Sequence, residues 1–222
     1  MDSLKIDIQM KTNFQKLAGY CLVIGSILMV LTMVLHPSGG NLEHIIKISK
    51  VLIISHSIAI FSIPFIAFGF YGVSETLRTN SKISYLGFTF VGFSLVAVML
   101  AGSINGLILP MYVSKFHSET VQNLETIKLI INYGSKFNKA MDFIFIVGYS
   151  IAMFIWSVVI IQTSKQPRWL GFYGFILLAF VIIGFLIEFD FISVWGFRIY
   201  IFGIVSWIIL AGFFMIKPQK VS

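Results

Sequence analysis

His36, His56, Asp142 and Asn105 bring together two imidazoles, a carboxylate and an amide, side chains suited to hold zinc, iron or a polar ligand. Each lies in or beside a long apolar run, where an ionisable group is costly and points to function with a partner. Counting about 1.5 Å per helical residue, His56 falls roughly 9 Å below Lys50 and Asp142 roughly 4.5 Å below Lys139. Asn105 falls roughly 7.5 Å short of Pro110, where the third apolar run is expected to end. His36 closes the first run just before Pro37. Three runs therefore offer a polar group at one level, and a fourth places one just above. His56 and Asp142 are the expected pair, because a central Asp costs about 2.5–3.5 kcal/mol on the insertion scale and turning inward removes most of that.

As metal ligands, His36, His56 and Asp142 form the core set, with Glu188 or Asp190 as further donors. Haem held between His36 and His56 is a second arrangement. Neither has a tight spacing such as H-x-x-x-H or H-E-x-x-H behind it. His44 cannot join His56 on one ion, since on one helix the two stand roughly 18 Å apart. As a ligand-binding set, His56, Asp142, Asn105 and His36 line a polar pocket. The plainer reading leaves His36 and His44 in interfacial water and satisfies His56 on Ser55, Ser57 or a neighbouring helix. All four histidines, His117 included, fall toward the same end of the apolar runs.

The elements that position these groups follow from composition. The chain of 222 residues is 58% hydrophobic and 11% charged, less than half the charge of a soluble domain, so lipid and not water is its solvent. About 20 apolar residues span the hydrocarbon core. Six stretches qualify, at 17–36, 50–72, 84–110, 139–162, 168–188 and 194–216. The expectation is an all-α integral membrane bundle, a single domain over 1–222. The first stretch is too long for a signal-peptide core and no small-x-small site closes it. Cys21 stands alone, so an internal disulfide is excluded.

Basic residues orient the bundle. With the N-terminus inside, the cytoplasmic segments carry 9 Lys and Arg and 3 acids, the other face 7 and 6. Four of the outer basic residues sit in the one long connection. This favours N-in and C-in in the cell membrane. The net charge of +7 is scattered between apolar runs, which suits loop anchoring and argues against nucleic acid. In the long connection, Val121, Leu124, Ile127 and Ile131 recur at helical spacing, with Ser118 or Thr120 to cap the start and Gly134 the stop. That predicts a separate amphipathic helix on the outer surface, between the third and fourth spans.

Residues 79–88 (TNSKISYLGF) and 163–172 (TSKQPRWLGF) share Thr, Leu, Gly and Phe without gaps, and 12–20 (TNFQKLAGY) is a shorter echo. Duplication of a two-helix unit and convergence at membrane entry points both account for it. Gly102 and Gly106 predict close helix approach, Pro64 a kink, Glu75 and Arg78 an i,i+3 pair, and Trp169, Trp195 and Tyr200 an aromatic belt. The sequence lacks G-x-S-x-G, a P-loop, gating arginines and a selectivity filter. Two functional classes follow. One is a binding or transporting protein with a small-molecule pocket near the extracytoplasmic face, alone or as a homo- or hetero-oligomer. The other is a zinc, iron or haem enzyme of the membrane.

Overall fold

The computed structural model describes residues 2–37, 42–78, 81–114, 121–163 and 166–217, with the side chains of 2–8 and 121–123 left aside. His117, the capping candidates Ser118 and Thr120, and parts of both repeat segments lie outside the described residues. Regular structure among the described residues is helical throughout. We label the helices α1 (Asp2–Leu35), α2 (Leu42–Arg78), α3 (Ser84–Val113), α4 (Val121–Gln162), α5 (Arg168–Leu186) and α6 (Val194–Ile216). All six are long and apolar enough to cross a membrane, which makes this a multipass membrane protein.

Each helix packs on its neighbour in sequence, and α6 returns to α1, so the six close into a ring. The sequence forces this sidedness weakly, because the helices are apolar nearly all round. Leu17, Ile24, Ile27, Leu31 and Val34 of α1 stay exposed at three- to seven-residue steps, a stripe that lipid can cover. The inward stripe is made of small residues and close contacts. A Cβ on Gly72 would come within 2.2 Å of the Ala18 Cβ, and one on Gly19 within 2.7 Å of the Gly212 carbonyl. Close backbone approach of this kind is how helices associate where no hydrophobic drive exists between them.

At the end where α3 and α5 begin, the ring is filled. Phe70, Trp156 and Trp207 are fully buried and stack in succession, at centroid distances of 4.9 and 6.1 Å. Trp156 Nε1 donates to Ser74 Oγ (3.0 Å) and to the Ser84 carbonyl (3.1 Å). Ser74 and Ser84 also exchange hydroxyl-to-carbonyl bonds of 2.8 and 2.9 Å. Trp207 Nε1 donates to the Leu170 carbonyl at 3.1 Å. The α3–α4 and α5–α6 hairpins thus share one device, an indole of the second helix bonded to the first turn of the first. The two bonded carbonyls, Ser84 and Leu170, are offset by two positions in the alignment of 79–88 with 163–172. The Glu75–Arg78 pair sits at this rim at 2.7 Å, with Arg78 half exposed.

Three expectations need correction. Gly134 does not stop a surface helix, because α4 runs unbroken from Val121 to Gln162. Ile127 and Ile131 pack with Ile45, Val113 and Leu109 in a small second core where α2, α3 and α4 extend past the main bundle. Apolar burial against two neighbours holds that segment helical through the glycine. Nor does α3 end at Pro110. Residues Gly102–Ile108 form a π-helical turn, and helix continues to Val113. A proline clashes with the carbonyl four residues back, and the wider turn accommodates it. Finally, Tyr200 is no belt residue: it is 2% exposed and donates to the Ile146 carbonyl at 3.1 Å. Trp169 and Trp195 do face outward.

Candidate functional site

The open end of the ring collects the polar residues. His56 sits on α2, and its Nδ1 lies 2.8 Å from the Leu52 carbonyl one turn back, so Nδ1 carries the proton and donates. Ser55 Oγ is 3.3 Å from the same nitrogen. The opposite edge of the ring fits a notch in α3. A Cβ on Gly106 would fall 1.9 Å from His56 Cγ, and one on Gly102 3.7 Å from Cδ2. Gly106 is the position that must lack a side chain for the ring to sit in this groove, whereas a Cβ at Gly102 would make ordinary contact. With Nδ1 turned to its own helix and Cδ2 to the notch, Nε2 is left at the tip with a lone pair and no protein partner among the described residues.

His36 follows α1 directly. Its Nδ1 is 2.9 Å from the Pro37 carbonyl, which fixes the same tautomer. Its ring stands 4.8 Å from that of His56, centroid to centroid, tilted by 56°. Arg198 on α6 donates through Nη2 to the His36 carbonyl and rests over the Trp195 ring at 5.0 Å. This ties the end of α1 to α6. His36 lies one residue beyond the span Gln9–Leu35. Burial first, then the charges of His56 and Arg198, lower its pKa to about 4 against the pull of the Pro37 carbonyl, so the ring is neutral near pH 7.

From α4 comes an amide and a carboxyl. Asn105, in the π-helical turn, donates to Asn138 Oδ1 at 3.2 Å, and Asn138 Nδ2 donates to Asp142 Oδ2. Gly134 makes room for this chain, since a Cβ there would lie 3.0 Å from Asn105 Oδ1. Asp142 is 7% exposed and, among the described residues, has no ion pair. Among the described residues its one protein partner is the Asn138 amide, one turn before it on the same face.

These side chains line adjoining cavities. A vestibule of about 360 Å³ is bordered by His36, His56, Asn105, Asn138 and Lys139. Below it a collar of about 110 Å³ is lined by His36, His56, Asn138 and Asp142, with Thr32 and Ala59. Below that a chamber of about 60 Å³ has apolar walls, among them Met29, Met33, Ile60, Ile63 and Val98. Vestibule and collar share His36, His56 and Asn138; collar and chamber share Thr32, Met33, Ala59 and Val98. Pro64 stands in α2 directly after Ile63 and removes the N–H that would bond the Ile60 carbonyl.

Comparison with protein-family models, curated proteins and solved structures finds no match. The site rests on its own geometry. The structure puts His36, His56 and Asp142 around one collar and Asn105 at its entrance. It leaves out Glu188 and Asp190, both exposed. Asp190 Oδ1 accepts from the N–H groups of Ile192 (2.9 Å) and Ser193 (3.0 Å), a turn in the loop before α6, whose cap is Ser193. Sequence reasoning missed Asn138, although its place four residues before Asp142 on a helix was a usable signal. It also missed Arg198, which the sequence marks only as a basic residue near the outer end. Among the described residues, no group of three or more His, Cys, Asp and Glu is arranged to hold a metal ion.

Proposed function

We propose that this protein binds a small molecule that enters through the vestibule, presents a polar group to the collar and extends an apolar part into the chamber. The observation that carries this reading is that the three cavities lie one below the other and share lining residues. Pockets of mostly apolar lining with a few convergent polar groups are the usual form of a small-molecule site. The basic-residue bias supports N-in and C-in, which puts the mouth on the extracytoplasmic face of the cell membrane. The outer stretch of α4 then stands above the membrane as a wall of the vestibule. Passage onward to the other face would require the Phe70–Trp156–Trp207 stack to part, so binding is favoured over transport.

The test is access. In a background with Cys21 replaced by Ser, a single cysteine at Ala59 should react with a small membrane-impermeant thiol reagent, and one at the fully buried Ala152 of α4 should not. An Ala59 cysteine as inert as the Ala152 one would overturn the reading. Orientation is checked separately with cysteines at Ser118 and Ser222, which should label from opposite sides. A metal or haem enzyme built on His36, His56 and Asp142 draws on the paired imidazoles alone. Elemental analysis giving one metal per chain would favour it.

A further inference from the structure

Resting on that reading, we propose that the collar selects a primary ammonium group carrying a short apolar tail. Hydrogen-bond bookkeeping at the collar is lopsided. Both histidines spend their one N–H on a backbone carbonyl, leaving His36 Nε2 and His56 Nε2 as acceptors. Asn105 and Asn138 each commit an amide N–H along the chain toward Asp142. Asp142 accepts from Asn138 on Oδ2, and Oδ1 has no protein partner among the described residues. The surplus is three acceptors on three helices or their ends, against one spare N–H on Asn138 and, at the entrance, one on Asn105.

An ammonium group has three donors and no acceptor, the complement of that surplus. Its positive charge also suits Asp142, the one buried acid among the described residues, which sits without a cation. No Lys or Arg lines the collar. Lys139 lines only the vestibule, and Arg198 is turned to the His36 carbonyl and the Trp195 ring. A bare metal ion needs ligands at about 2.0–2.2 Å, which a collar of about 110 Å³ does not converge to supply. Ammonium hydrogen bonds of about 2.8–3.0 Å, with room for a water, fit that spacing better. A carboxylate ligand would bring more acceptors to a site already full of them. The chamber beneath admits a few carbons and offers them Met29, Met33 and Ile60.

The experiment uses the full chain in lipid nanodiscs, with nitrogen-15-labelled histidine, at pH 7.4. n-Butylammonium chloride, 1-butanol and sodium butyrate are titrated in turn, and the His36 and His56 imidazole signals are followed. Butylammonium should shift both rings saturably and leave the His44 signal in place, with a Kd at least tenfold below those of butanol and butyrate. Asp142→Asn should raise the butylammonium Kd at least tenfold, and a variant that does not fold leaves the wild-type ranking as the deciding result. Equal response to butanol and butylammonium would overturn the ammonium assignment while keeping the pocket. No response of either ring to any of the three would overturn the assignment and the pocket together.

Discussion

Two polar clusters, one at each end of this bundle, use their side chains in opposite ways. At the filled end, Ser74, Ser84 and the two indoles form short bonds that leave their donors paired and their rings stacked. At the open end, His36, His56 and Asp142 each spend one atom on the protein and leave another facing a cavity. Inside a membrane, a paired polar group is glue worth about 0.6 kcal/mol on average, whereas a half-paired one costs energy until something completes it. The difference separates a part of the molecule that holds it together from a part that waits for a partner.

Substitutions should fall on one side or the other of that contrast. The largest effect belongs to Trp156→Ala, which deletes a fully buried ring and two hydrogen bonds and should cost about 3–5 kcal/mol of stability. Denaturant unfolding in mixed micelles would show it, and a loss below 1 kcal/mol would remove the filled end from its holding role. Gly106→Ala comes next. The added methyl must displace the His56 ring, for about 1–3 kcal/mol of overpacking, and should abolish the butylammonium response. Unchanged histidine shifts in that variant would mean the notch does not seat the ring. Asn138→Ala should cost only about 0.6 kcal/mol, yet weaken ligand binding severalfold by freeing Asp142 to turn. A stability loss as large as that of Trp156→Ala would place Asn138 with the glue.

The smallest expected effect is on pH dependence. His36 holds a pKa of about 4 against an ordinary 6.5, so the unfolded chain takes up a proton that the folded one refuses. Its contribution is complete above about 6.5 and is lost progressively as pH falls toward 4. Between pH 7.5 and pH 5 the wild-type melting temperature in nanodiscs should therefore fall relative to that of His36→Gln, opening a gap between the two. An unchanged gap would show the ring to be as solvated as an ordinary surface histidine.

Much of this was legible in the sequence, for reasons that differ by residue. The six spans follow from length and apolarity, quantities the membrane imposes on any chain. The shared level of His56 and Asp142 could be counted from helical rise, whereas Asn105 is counted from Pro110, where α3 does not end. What escaped was whatever depends on neighbours. Gly134 reads as a stop until Ile127 and Ile131 are seen packed on Ile45 and Leu109. Pro110 reads as a terminus until the turn before it widens. Tyr200 reads as an interfacial ring because nothing in its own helix reveals that Phe145 and Phe191 enclose it. Glu188 and Asp190 look like ligands by type, but Asp190 is spent on a turn in the loop before α6.

The unbroken α4 has a mechanical consequence. It carries Asp142 and Trp156 on one rod, fourteen residues and about 21 Å apart. With the indole clamped at one end, the rod is a lever, and a tilt of about ten degrees there would swing the carboxyl by about 4 Å. A lever so pinned is a poor moving part, so the mouth should adjust on the other side, where the π-helical turn of α3 can gain or lose a residue of register. The protein would then respond to an occupant by shifting α3 along His56, while α4 serves as the fixed post against which that motion is measured.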